Sequence, residues 1–168
     1  EGTFTQMGQS FPLALSREAI EAPKRPQEPT PPYPYTSEEV TFPNTADDIA
    51  LSGTLTLPRD AANPPAVVLI SGSGPQDRNE EVFGHKPFLV LSDHLTRNGI
   101  AVLRYDDRGT GKSTGVHQTA TSEDLARDVS SAVAFLKGRN DIDIEKIGLI
   151  GHSEGGMLAP MVAADSKE

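Results

Sequence analysis

The chain has 168 residues, of which 36% are hydrophobic and 23% charged, a balance typical of a globular protein rather than a disordered or fibrous one. Fifteen basic against 24 acidic residues leave a net charge of −9. We therefore expect no nucleic-acid partner, because a phosphate backbone attracts cations. There is no cysteine, which excludes disulfides and thiolate metal sites. The apolar runs are far shorter than the roughly 18 residues of a membrane span, so no span is predicted.

Proline usage divides the sequence. Eleven of the 14 prolines fall in the first 65 positions, and six of these lie within residues 23–34. Proline lacks the N–H that helices and sheets use, so residues 22–36 are predicted to be an extended linker. Before it, apolar residues alternate with polar ones around Gly8, up to Leu15, which predicts one or two half-buried strands. A lone hairpin is marginal in water, so residues 1–21 are interpreted as the remnant of a preceding β domain.

Strand patterns follow the linker. Val40–Phe42 and Ile49–Leu57 predict a hairpin, and three apolar runs predict strands of a parallel sheet, the first of the kind buried on both faces and the last at an edge. These runs are Ala66–Ile70, Ile100–Tyr105 and Ile147–Ile150.

Helix patterns alternate with those strands. Pro87 is predicted to begin a helix that stops at Asn98-Gly99, since proline favours the first turn and glycine the position after the last. Thr121 and Asp124 resemble a capping box, which predicts a helix that ends with Gly138 at its C′ position. A short helix weakened at Pro160 is predicted over residues 156–164. The alternation predicts an α/β fold, a mostly parallel sheet with helices on both faces.

The pentapeptide Gly151-His152-Ser153-Glu154-Gly155, here called the elbow, lies directly between an apolar strand and a helix. In a G-x-S-x-G turn, glycines on both sides let the chain turn so sharply that the serine hydroxyl stands away from the backbone. The helix that follows points free N–H groups at the place where an anion would form. Ser153 is therefore predicted to be a catalytic nucleophile. The alternative is a glycine-rich turn that serves packing alone.

Two other patterns predict structure rather than chemistry. Residues 109–113 imitate the end of a P-loop, but Asp106 stands where the first glycine is needed. A structural loop, with Asp106 and Arg108 in buried polar contacts, is favoured over nucleotide binding. His152 is expected to pack under the elbow rather than act as the base for Ser153. The other histidines show no metal-ligand spacing, so we expect no metal and no cofactor; they are His85, His94 and His117.

Three segments together resemble the α/β-hydrolase superfamily, and within it the bacterial esterase-like and serine-aminopeptidase-like hydrolases. They are the elbow with Gly156, the segment Val67–Asn79, which is similar to the loop after the third strand of the family, and Tyr105–Ser113, which is similar to its D-x-R-G-x-G-x-S loop. The resemblance covers about residues 38–165. It implies that residues 37–168 are the N-terminal part of a hydrolase domain, truncated after the elbow. Some secreted members have an N-terminal β domain and linker, which favours a secreted or periplasmic location.

The resemblance also implies roles for individual residues. Ser153 would be the nucleophile, and the N–H of Glu154 one donor of the oxyanion hole. The second donor would be the N–H of Ser73 or, alternatively, of Gly74. A further set either lines the acyl side of the site or simply closes the loop, and both alternatives stay open: Asp77, Arg78 and Asn79.

The expected function is hydrolysis of a small-molecule carboxylic ester through an acyl-enzyme intermediate. In this superfamily the triad follows the order Ser, then Asp or Glu, then His, yet no histidine occurs in the 15 residues after Ser153. We therefore expect the catalytic Asp and His in the remainder of the domain, on the same or a separate chain, and an inactive chain without them. The alternatives are amide or peptide hydrolysis by the same fold, and a non-catalytic binding scaffold.

Overall fold

A computed structural model describes residues 2–14, 17 and 24–165. The strands of this part are β1 (Gly2–Gln6), β2 (Gln9–Leu13), β3 (Tyr35–Asn44), β4 (Ile49–Pro58), β5 (Ala66–Ile70), β6 (Ala101–Tyr105) and β7 (Ile147–Gly151). Its helices are α1 (Pro87–Arg97), α2 (Ser122–Lys137) and α3 (Gly155–Asp165). None of these helices has the length and apolar character needed to cross a membrane.

The N-terminal strands β1 and β2 form an antiparallel hairpin. Met7 and Gly8 turn the chain with φ of 51° and 76°, the positive values that a tight two-residue hairpin turn uses. The predicted strands are confirmed, but every residue in them is exposed rather than half-buried. Leu15 and residues 22–23 lie outside the described residues. The predicted linker also ends earlier than expected, because Tyr35 already pairs with Pro58 in β3.

A five-stranded sheet runs in the order β3-β4-β6-β5-β7. Strand β5 pairs in parallel with β6 on one side and β7 on the other, so the three apolar runs are parallel strands as predicted. The β3–β4 hairpin adds to β6 antiparallel and makes the sheet mixed. Because β5, β6 and β7 point the same way, the loops that follow them meet at one edge of the sheet.

Helices cover both faces of this sheet, which confirms the α/β prediction. Val68 of β5 belongs to a core cluster that includes Val129 of α2 and Leu158 of α3. Its neighbour Leu69 points to the other face and packs in a second cluster with Phe88 of α1. A strand buried on both faces must be apolar at successive positions, which explains its continuous apolar run.

The ends of α2 show how local sequence sets an element. Thr121 accepts the N–H of Asp124 at 3.3 Å, and the Asp124 carboxylate accepts the Thr121 N–H at 2.7 Å, so the predicted capping box is confirmed. The predicted C′ glycine is corrected. Gly138 is the C-cap itself, with a right-handed φ of −81°, so no left-handed residue closes this helix. Helix α3 continues through Pro160 to Asp165.

Candidate functional site

The elbow is a strained turn between β7 and α3. Ser153 is exposed and has a φ of 51°, a value that costs a non-glycine residue conformational energy. Neither flanking glycine has room for a side chain. A Cβ on Gly151 would overlap the carbonyl of Gly155, and a Cβ on Gly155 would lie 2.7 Å from the carbonyl oxygen of Ser71. The chain therefore turns here only because two glycines bracket the serine.

Backbone hydrogen bonds attach the elbow to β5. The His152 N–H donates to the carbonyl of Ile70 at 3.0 Å, and the Gly155 N–H donates to the carbonyl of His152 at 2.8 Å. The N–H of Glu154 has no acceptor among the described residues, as the first N–H groups of a helix lack partners within it. The elbow thus presents an unused donor beside the hydroxyl of Ser153.

The 71–76 loop after β5 packs directly against the elbow. A Cβ on Gly72 would lie 3.2 Å from the Cβ of Ser153. Ser73 and Gly74 follow at once, and in the described part of the chain their N–H groups have no backbone or side-chain acceptor. The structure therefore brings the loop that carries the predicted second donor next to Ser153. Which of these two N–H groups is the second donor of the oxyanion hole stays a prediction.

The next residues of this segment make contacts within the protein. Asp77 accepts the N–H groups of Asn79 and Glu81, both at 3.0 Å. Arg78 donates to the two carboxylate oxygens of Asp106 at 3.0 and 2.8 Å. Burial opposes ionisation of Asp106, but hydrogen bonds from Arg78 outweigh it and hold the pKa of that carboxyl below its usual range. These contacts support the alternative in which Asp77 and Arg78 close the loop. Direct contact of these residues with substrate stays a prediction.

His152 and Glu80 form a contact that differs from the sequence-based expectation: His152 was predicted to pack under the elbow, and Glu80 was not predicted to take part in the site. The His152 ring is 66% exposed instead of packed under the elbow, and its Nδ1 lies 2.7 Å from Oε1 of Glu80. The same oxygen of Glu80 accepts the Gly72 N–H at 2.7 Å, and Glu80 is buried. No pattern marks Glu80, which follows the last residue of the segment that resembles the hydrolase family.

A second buried carboxylate joins the loops after β5 and β6. Asp107 accepts the Ser71 hydroxyl at 2.7 Å and the Gln76 N–H at 2.9 Å. Burial raises the pKa of Asp107 to about 7, and the charges of Asp128 and Glu80 add to the rise, although the two hydrogen bonds oppose it. Asp107 thus lies behind the 71–76 loop as a group that titrates near neutrality.

The loop after β6 uses its own donors internally. The Lys112 N–H donates to Asp106 at 3.1 Å, and the Gly109 N–H donates to the carbonyl of Thr114 at 3.0 Å. Arg108 is buried and ion-pairs with Asp128. The predicted structural loop is confirmed. Within the described residues, no group of three or more His, Asp or Glu side chains is placed to hold a metal ion.

Comparison with known proteins agrees with this arrangement. A sequence profile described as serine aminopeptidase, S33, matches residues 87–168. Esterase EstD of Thermotoga maritima is 36% identical over 117 residues, which is 70% of this chain. The structure of hypothetical protein PA2218 from Pseudomonas aeruginosa superposes with a TM-score of 0.69 over 94% of the chain at 26% identity. That of the alpha/beta hydrolase GrgF from a Penicillium species superposes with a TM-score of 0.63 over 80% at 26% identity.

The chain is short beside these proteins. It spans 28% of the length of EstD, 46% of the PA2218 chain and 43% of the GrgF chain. The profile match covers α1, β6, α2, β7, the elbow and α3. On its fold, its elbow and these relatives, the chain belongs to the α/β-hydrolase superfamily.

Proposed function

We propose that this protein hydrolyses carboxylic esters with Ser153 as its nucleophile. The observation that carries the proposal is the elbow itself: an exposed serine at positive φ, beside an unused N–H at the start of α3 and against the Gly72 backbone. The similarity to an esterase supports an ester as the substrate.

In the proposed reaction, Oγ of Ser153 attacks the carbonyl carbon while a base takes its proton. The carbonyl oxygen becomes an oxyanion, which accepts the N–H groups of Glu154 and of Ser73 or Gly74. Loss of one such donor costs about 3–4 kcal/mol of transition-state stabilisation. The alcohol leaves with the proton, and water then hydrolyses the acyl-enzyme to the free acid and restores the serine hydroxyl.

The base is proposed to lie outside this chain. Nδ1 of His152 binds the Glu80 carboxylate at 2.7 Å, and within the described residues no hydrogen bond joins a histidine to the hydroxyl of Ser153. We propose that the catalytic Asp and His belong to the remainder of the hydrolase domain. Without them the chain should retain only the small rate that an oxyanion hole supports, several orders of magnitude below the complete enzyme.

Amide or peptide hydrolysis is the second candidate, favoured by the match to the serine aminopeptidase profile. The two candidates share the elbow and differ in the leaving group, since an amine must be protonated as it departs. Turnover of paired ester and anilide substrates with the same acyl group separates them.

The direct test is labelling of the full-length protein with a serine-reactive phosphonate, followed by mass spectrometry of the modified peptide. We expect one adduct on Ser153, and Ser153→Ala should abolish both the adduct and ester hydrolysis, lowering kcat by about 10⁴-fold or more. Ser130→Ala, an exposed serine of α2, is the matched control and should leave labelling unchanged. An unlabelled Ser153 in folded wild-type protein would point to the non-catalytic scaffold instead.

A further inference from the structure

Glu80 joins the two loops that form the site. Its Oε1 accepts the Gly72 N–H and the Nδ1–H of His152, both at 2.7 Å. A carboxylate only accepts hydrogen bonds, so Nδ1 of His152 carries the hydrogen. Gly72 precedes the predicted donor Ser73, and His152 precedes Ser153. One buried oxygen therefore links the neighbours of both groups that must converge on the substrate carbonyl.

The loop around Glu80 holds this carboxylate in place at a conformational cost. Glu80 has a φ of 51°, and its N–H donates to the carbonyl of Asp77 at 2.9 Å. The side chain of Asp77 accepts two further N–H groups of the turn, those of Asn79 and Glu81. Only 7% of Glu80 is exposed, so water competes little for its oxygen.

The space between the two loops leaves little freedom. A Cβ on Gly72 would lie 3.2 Å from each of three atoms, namely Oε1 of Glu80, Nδ1 of His152 and Cβ of Ser153. The 71–76 loop thus rests on the elbow through Glu80 on one side and Ser153 on the other. A shift of the carboxylate changes the separation of the N–H donors from the serine hydroxyl.

We propose that Glu80 is a positioning residue, which sets the distance between the 71–76 loop and Ser153 by accepting hydrogen bonds from Gly72 and His152. The inference rests on the proposed ester hydrolysis and adds to it the group that aligns the oxyanion donors. A misplacement of a catalytic group by about 1 Å costs roughly 100-fold in rate. Removal of Glu80 should therefore slow catalysis, although Glu80 is not proposed to contact the substrate.

The experiment compares Glu80→Ala and Glu80→Gln with wild type in the full-length protein, with kcat expressed per phosphonate-titrated site. We expect Glu80→Ala to lower kcat about 10- to 100-fold while KM changes less than threefold. Glu80→Gln should recover most of that loss, because its amide oxygen accepts the same two hydrogens. Glu81→Ala, the exposed neighbouring carboxylate, is the matched control and should match wild type.

Titration per site separates positioning from folding. A residue needed only for stability lowers the melting temperature and the fraction of titratable protein but leaves kcat per titrated site unchanged. If Glu80→Ala does not fold, His152→Ala tests the same link, because it removes the hydrogen-bond donor through an exposed side chain. It should lower kcat by up to about 10-fold. Where all variants fold, the losses of Glu80→Ala and His152→Ala should not add in the double variant.

The outcomes of the two proposals are distinct. Suppose that wild-type protein hydrolyses esters and is labelled on Ser153, but that Glu80→Ala or His152→Ala keeps the wild-type kcat per site. That result overturns the positioning role and leaves the proposed function standing. Folded wild-type protein without labelling overturns the proposed function and the positioning role with it.

Discussion

At the scale of single residues, the two elbow glycines lie where backbone atoms leave no room for a side chain. Gly151→Ala places a Cβ against the backbone of Gly155 and Gly156 at the start of α3, and Gly155→Ala places one against the backbone of Ile70 and Ser71 at the end of β5. We expect each substitution to lower the free energy of unfolding by about 3 kcal/mol or more, measured by urea denaturation of the full-length protein.

Gly156→Ala is the matched control for this prediction. Its added Cβ would meet only the carbonyl oxygen of Gly151, at an ordinary 3.7 Å, and the residue lies in a helix. Alanine should therefore stabilise the protein slightly, by about 1 kcal/mol at most. Equal losses at positions 151, 155 and 156 would contradict the steric explanation.

Asp107 predicts a pH dependence of stability. Its pKa is raised from 3.8 to about 7 in the folded protein, so between these values the folded chain holds a proton that the unfolded chain has lost. The stability that this proton provides is complete below pH 4 and is lost as pH rises through 7, by about 4 kcal/mol at most. Asp107→Asn cannot titrate, so its free energy of unfolding should fall less than that of wild type between pH 4 and 8. Parallel curves for the two proteins would show that Asp107 titrates normally.

At the scale of elements, the capping box governs the start of α2. Thr121→Ala removes the acceptor of the Asp124 N–H and should cost about 1 kcal/mol of unfolding free energy, while Thr121→Ser keeps the hydroxyl and most of the stability. Ser130→Ala, on the exposed side of the same helix, serves as the control and should change stability by less than about 0.5 kcal/mol. An equal loss for Thr121→Ser and Thr121→Ala in urea denaturation would exclude the hydroxyl as the cause.

At the scale of the whole molecule, a buried ion pair joins distant parts of the chain. Arg108, in the loop after β6, donates to both oxygens of Asp128 in α2 at 2.7 and 2.9 Å, and Asn44 at the end of β3 donates to the same carboxylate at 2.8 Å. Asp128→Ala leaves a buried guanidinium without this partner and should cost about 3–5 kcal/mol.

An exposed ion pair provides the comparison for Asp128→Ala. Lys146 is 70% exposed and pairs with Asp143 at 2.9 Å. Solvent screens such a pair, so Lys146→Ala should cost less than about 1 kcal/mol in the same urea titration. Similar losses for the two variants would mean that burial of the Arg108–Asp128 pair contributes nothing to stability.

Much of the fold follows from local patterns. The apolar runs of β5 and β7 end within one residue of their predicted limits, because no polar residue interrupts either run and blurs its pattern. The capping box marks α2 for the same local reason. The β3 strand was predicted too short, since residues 36–39 are all polar and gain their strand character by pairing with β4.

The candidate site likewise combines a feature of local sequence with contacts between distant residues. The elbow could be predicted from the sequence, because the Gly-x-Ser-x-Gly spacing is a local steric requirement carried by five consecutive residues. Three features depend on tertiary contacts instead: Glu80 binds Gly72 and His152, Arg78 binds Asp106, and His152 is exposed. Those contacts join loops whose residues are 8, 72 and 28 positions apart. Such partners are set by the parallel order of β6, β5 and β7, which brings the loops to one edge of the sheet, and no short-range pattern encodes that order.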